Sequence, residues 1–219
     1  MEETIRVPVM EAIMGENERI AERMNQDFDR RGIFVVNVLG APGVGKTTSL
    51  VQIIGHLADK NVGVIEGDIE SDIDTLKLEK LGISAQQINT QGACHLDAPV
   101  IDQAADSLKL NDNSLLFIEN VGNLVCPAEF YIGEHLKMLI LTVTEGSDKP
   151  YKYPLAFEKA DVMLLNKCDL IPYVDFDEAY FMKGVRALNP DAPLFKVSGR
   201  TGEGYREVAQ WLEAKKNAR

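Results

Sequence analysis

The sequence predicts an α/β fold, with a mostly parallel sheet carrying helices on both faces. Three observations carry this. Strand-like apolar runs alternate with helical segments along all 219 residues. The run Ile33–Leu39 is nearly continuous in apolar residues, the pattern of a strand covered on both faces. A glycine-rich turn and a helical pattern follow it directly.

From Pro8 to about Asp29, apolar residues recur at helical spacing between Glu and Arg, giving an amphipathic surface helix that Gly32 ends. After the strand Ile33–Leu39 come a helix over about Thr47–Asp59 and a strand over Val62–Glu66. A helix over Ile73–Lys80 stops at Gly82, a natural C-cap, before a short strand at Ala85–Ile88. Asp97–Lys109 is helical, and strands follow at Ser114–Glu119, Lys137–Val143 and Asp161–Asn166. A helix around Phe176–Leu188 halts before Pro190, Leu194–Val197 closes the sheet, and Gly204–Lys215 is the last helix. There is no internal repeat and no linker-like tract, so residues 1–219 are expected to form one domain, with 1–31 as a helical lead-in.

The formal net charge is −11, which argues against a nucleic-acid partner. No apolar run is long enough to span a bilayer, and Met1–Asn25 lacks the core of a signal peptide, so a cytoplasmic protein without a membrane partner is expected. Three cysteines, Cys94, Cys126 and Cys168, are too few and too odd in number for a disulfide framework.

In a doubly wound sheet, ligands bind beyond the carboxyl ends of the strands, so polar residues just after strands draw attention. Gly40-Ala-Pro-Gly-Val-Gly-Lys46-Thr47 fits G-x-x-x-x-G-K-[ST] between a buried strand and a helix start. Its glycines let backbone N–H groups turn inward to form an anion nest at a helix N-terminus. Gly40, Gly43, Val44, Gly45, Lys46, Thr47 and Thr48 are therefore the candidate phosphate cradle. Lys46 should reach the β- and γ-phosphates, with the Thr47 hydroxyl a ligand for Mg²⁺.

Asn166-Lys167-Cys168-Asp169 follows the strand at Val162–Leu165 and has the N-K-x-D form of the guanine-recognition motif of GTPases. Guanine presents two adjacent donors that one carboxylate accepts together, whereas adenine would leave Asp169 unpaired. Lys167 can cover the base face and Asn166 can brace the phosphate loop. Ser198-Gly199-Arg200 resembles the last GTPase motif, with Gly-Arg where Ala-Lys is usual. Asp68 and Glu119 stand at strand ends, and Glu119-Asn-Val-Gly122 occupies the place of D-x-x-G. Either acid could hold Mg²⁺, and Lys46, Asp68 and Glu119 are the candidate catalytic residues. No glutamine follows Gly122, so slow turnover is expected.

Cys94-His95 and Cys126 lie in loops on the same edge and offer donors suited to Zn²⁺ or Ni²⁺. On the residues alone, two buried cysteines beside a surface histidine account slightly better for them. His56 and His135 have no such company and are taken as structural. Longer blocks then weigh in: Glu66-Gly-Asp68, Asn89–Asp97, Phe117–Phe130 and Val143–Pro150 resemble the HypB family, from about Glu18 to Trp211. That resemblance implies a GTPase of nickel insertion into [NiFe]-hydrogenase, binding nickel or zinc through Cys94, His95 and Cys126 near the interface of a GTP-dependent homodimer. It also implies a nickel-donor accessory protein and the hydrogenase large subunit as partners. Some family members carry an N-terminal cysteine motif or histidine-rich tract; here no Cys or His precedes His56, so metal storage is not expected. Urease accessory GTPases are the near rival, but they show Cys-Pro-His where this chain has Cys94-His95. A small-molecule kinase with the same phosphate loop would usually lack Asn166-Lys167-x-Asp169. A GTP-binding switch whose thiols are merely buried is the remaining alternative.

Overall fold

The computed structural model describes residues 7–67, 82–90 and 92–219, with side chains from residue 14 onward. Seven strands form one sheet: β1 (Phe34–Leu39), β2 (Val62–Glu66), β3 (Ser84–Gln87), β4 (Leu115–Glu119), β5 (Leu136–Thr142), β6 (Val162–Asn166) and β7 (Leu194–Lys196). Their spatial order is β3-β2-β4-β1-β5-β6-β7, and every pairing is parallel. All the strand carboxyl ends therefore open on one edge. The expected helix over Ile73–Lys80 lies outside the described residues.

The longer helices are α1 (Val7–Arg30), α2 (Lys46–His56), α3 (Ala98–Leu108), α7 (Glu178–Leu188) and α8 (Tyr205–Asn217). Period-two alternation along β1 sends Phe34, Val36 and Val38 to one face, where they pack with Leu50 and Ile53 of α2 and Val208 and Leu212 of α8. Val35 joins Met24 and Phe28 of α1 and Ile101 of α3 on the opposite face. Leu39 faces a third cluster with Phe157, Phe181 and Val185. Ala21, Met24 and Phe28 of α1 are buried against the sheet.

α2 stops at His56, three residues short of the expected Asp59. Buried Leu57 turns to extended backbone, Ala58 N–H donates to Glu213 Oε1 at 2.7 Å, and the Lys60 ammonium donates to the carbonyls of Ile54 and Gly55. One of the two partners at that end, Glu213, is 155 residues away from Ala58. Three short helices were not anticipated: α4 (Cys126–Glu129), α5 (Lys149–Lys152) and α6 (Pro154–Glu158). Each has proline in its opening turn, where the missing N–H costs nothing.

His135 is structural, as expected. Its side chain is 1% exposed and stacks on Phe34. Nδ1 accepts from Val35 N–H at 2.8 Å, so the neutral ring carries its proton on Nε2, 3.1 Å from Asp29 Oδ1. Burial, then Arg219, holds its pKa below the ordinary imidazole value of 6.5. A depressed imidazole contributes stability that is complete above the unfolded value and is lost as pH falls below it, because the unfolded chain then binds more protons. His135→Gln keeps an acceptor for Val35 N–H but cannot titrate. Chemical denaturation between about pH 7 and pH 5.5 should show a shallower loss of stability for the variant than for the wild type. Equal slopes would contradict this account.

Candidate functional site

β1 ends at Leu39, and the chain turns through Gly40–Gly45 into α2. Gly43 and Gly45 have φ of +75° and +90°, a region L side chains avoid. A Cβ on Gly45 would also lie 2.8 Å from Asn166 Nδ2. Gly45 stands at the N-cap of α2 and, as glycine, brings no capping side chain of its own, so the loop runs directly into a helix N-terminus, whose dipole favours an anion. Gly40 forms an isolated antiparallel bridge with Asn123. A cavity of about 560 Å³ opens over this turn, lined among others by Pro42, Lys46, Thr47, Cys94 and Glu119. That volume suits a nucleotide-sized ligand.

Parallel register sets Glu119 beside Glu66 at the ends of β4 and β2. Thr47 Oγ1 donates to Glu119 Oε1 at 3.1 Å, so a hydroxyl and a carboxylate oxygen meet at the cavity wall. Hard oxygen donors so close together fit Mg²⁺. Asp68 lies outside the described residues, so the structure leaves its expected place unspecified.

The N-K-x-D segment sits beside the loop, as β6 places it. Asn166 Nδ2 donates to Val44 O at 2.9 Å, and Asn166 Oδ1 accepts from Gly199 N–H at 3.0 Å. Asn166 therefore ties the phosphate loop to the Ser198-Gly199 turn. Lys167 adopts φ +58°, and its Nζ donates to Gly43 O at 2.8 Å. Ser198 Oγ donates to Asp169 Oδ1 at 2.7 Å and accepts from Thr201 N–H at 3.2 Å. One edge of the Asp169 carboxylate is thereby fixed by the protein.

Cys94, His95 and Cys126 also come together: one ligand atom from each lies within 4.8 Å of the others. Cys94 Sγ is 3.3 Å from His95 Nδ1, and the imidazole stacks on Phe130 with ring centroids 3.9 Å apart. Burial holds His95 below the ordinary imidazole range, which keeps a ring nitrogen unprotonated for a ligand. The adjacent Cys126 thiol, then burial, push Cys94 above the ordinary thiol range. A divalent cation between the two sulfurs would stabilise both as thiolates. Two soft sulfurs and one imidazole fit nickel or zinc and leave a fourth tetrahedral position open.

Sequence reasoning overlooked Asn37, Asn120 and Asn123. Asn120, 1% exposed, donates to Asn37 Oδ1 at 3.2 Å and accepts from Leu96 N–H at 3.2 Å. Asn37 Nδ2 reaches Glu134 Oε1 at 3.4 Å. The available signal was a single amide inside the otherwise apolar strand Phe34–Leu39, since a buried amide has to be satisfied.

A parallel sheet whose central strand feeds a glycine loop and a helix N-terminus defines a P-loop nucleotide-binding protein. The model of the CobW/HypB/UreG nucleotide-binding domain matches residues 34–196. The chain is 46% identical over 214 residues to hydrogenase maturation factor HypB of Azotobacter chroococcum, covering 97% of this chain and 70% of that protein. It superposes on HypB from Helicobacter pylori in complex with nickel with a TM-score of 0.86 at 35% identity, covering 93% and 96% of the two chains. HypB from Archaeoglobus fulgidus gives a TM-score of 0.85 at 33% identity, covering 92% and 99%. The chain belongs to the HypB family.

Proposed function

We propose that this protein binds GTP with Mg²⁺ on the Gly40–Thr48 loop, hydrolyses it slowly, and uses the cycle to hold and pass on nickel during [NiFe]-hydrogenase maturation. The observation that carries the proposal is the shared wall: Cys94, beside His95 and Cys126, lines the same cavity as Lys46 and Thr47. Chemistry at a triphosphate is therefore adjacent to a soft-metal site. The relative from A. chroococcum is named a hydrogenase maturation factor, and the H. pylori neighbour holds nickel.

The loop N–H groups and the Lys46 ammonium take up the charge of the β- and γ-phosphates. Thr47 and Glu119, with Asp68, would hold Mg²⁺, which when bound neutralises charge developing on the phosphates. Asp169 accepts the two guanine donors, and the Lys167 stem lies along the base. Asn123 follows Gly122, and its amide is already engaged with Cys94 O and Val125 N–H, each at 3.0 Å. Slow turnover follows, since many GTPases orient the attacking water with a glutamine at this position. Nickel, or zinc in its place, is the cargo of Cys94, His95 and Cys126. A second copy of the chain closing over this surface in the GTP state would complete the coordination and link metal to dimerisation. Nickel would be received from an accessory donor protein and delivered to the hydrogenase large subunit.

Competition of GTP and ATP for the protein in the presence of Mg²⁺ tests the nucleotide reading. GTP should bind at least about 100-fold more tightly, as expected of a site built to pair two guanine donors. ATP binding as tightly as GTP would overturn it. Lys46→Ala should lower GTP turnover by roughly 100-fold or more, measured as phosphate release, because it removes a charge aimed at the transferring group.

A further inference from the structure

The four residues after Glu119 hold the metal-ligand loop from both sides. Asn123 Nδ2 donates to the carbonyl of Cys94 at 3.0 Å, and Asn120 Oδ1 accepts from Leu96 N–H at 3.2 Å. The tripeptide Cys94–Leu96, with His95 at its centre, is bracketed by two side chains of one short segment. That segment also governs the other thiol, because Asn123 Oδ1 accepts from the N–H of Val125, the residue capping the helix that Cys126 opens. At its far side it is fastened to the phosphate loop. The Asn123 backbone bridges Gly40, and Gly122 sits so close to Pro42 that a Cβ there would come within 2.7 Å of the ring. Asn120 N–H donates to Val38 O at 3.0 Å, and its amide donates to buried Asn37 of the same strand, which runs into the loop.

Resting on the GTP and metal sites proposed above, we infer that Asn120–Asn123 is the mechanical link between them, with Asn120 and Asn123 as its positioning residues. A shift of this segment, set by the nucleotide beside Glu119, alters the separation of Cys94 from Cys126 through hydrogen bonds made by one amide. Asn suits this place because its side chain donates and accepts at once. Asn120 is buried and serves partly to satisfy the core, whereas Asn123 is half-exposed and its loss leaves no buried group unpaired.

The test is the ratio of Ni²⁺ affinities with GDP·Mg²⁺ and with a non-hydrolysable GTP analogue·Mg²⁺, measured by competition with a chromophoric chelator. Wild type should give a ratio of about fivefold or more, the usual range of coupling between sites, and the Ni²⁺-induced change in relative nucleotide affinity should match it. Asn123→Ala, and Asn123→Asp, which loses the donor to Cys94 but keeps the acceptor for Val125, should bring the ratio within about twofold of one. A merely structural role would weaken Ni²⁺ equally in both nucleotide states and leave the ratio unmoved. A wild-type ratio retained in both variants overturns the link while leaving the two sites standing. Ni²⁺ binding to wild type without any nucleotide dependence also overturns it. Wild type that binds no Ni²⁺ removes the metal reading itself.

Discussion

Asp169→Asn is expected to weaken GTP binding by on the order of 10²-fold to 10⁴-fold without unfolding the protein. The direction follows from how the protein holds that side chain. Ser198 Oγ donates to Asp169 Oδ1 at 2.7 Å, so in the variant the amide oxygen takes the Ser198 bond and the amide NH₂ turns toward the base. Two guanine donors then face a donor, leaving polar groups unpaired at the base. Xanthosine triphosphate carries a carbonyl where guanine carries its exocyclic amine, and it should bind this variant more tightly than GTP does. Displacement of a fluorescent nucleotide measures both. GTP affinity within threefold of wild type would show that Asp169 does not read the base.

Replacing either thiol should be as severe at the metal. Cys94→Ala and Cys126→Ala are each expected to lower Ni²⁺ affinity by roughly 100-fold or more, since even residues that only support a metal ligand cost about 10-fold to 100-fold. With one ligand atom from each residue within 4.8 Å, losing a sulfur leaves two donors and no compact set. Chelator competition on the GDP-bound protein reads this without involving turnover. Unchanged affinity in both variants would return these cysteines to simple packing.

The sheet was legible because its strands, the polar edge strand β3 excepted, are short apolar runs set off by helices, and each lies within a residue or so of its expected place. The phosphate loop and the Asn166–Asp169 segment were legible because the chemistry demands fixed residues at fixed spacing. Cys94, His95 and Cys126 were visible as donors, yet residue chemistry alone did not bring them together. That needed the resemblance, and the structure supplied the convergence across 32 residues of chain. The helix end at His56 depends in part on Glu213, which local pattern does not reach. The asparagines at 37, 120 and 123 escaped for a related reason. An asparagine after a strand, as at 120 and 123, usually marks a turn, and for all three only the fold reveals what their amides bond to.

The central claim is that the phosphate loop times the release of a metal. Nickel-loaded protein given a single turnover of GTP, with excess chromophoric chelator and a phosphate sensor in one cuvette, tests it most directly. The account predicts that nickel reaches the chelator with the same rate constant as phosphate release, and that a non-hydrolysable analogue withholds it. Nickel leaving at one rate whether GTP, its analogue or no nucleotide is present would contradict it.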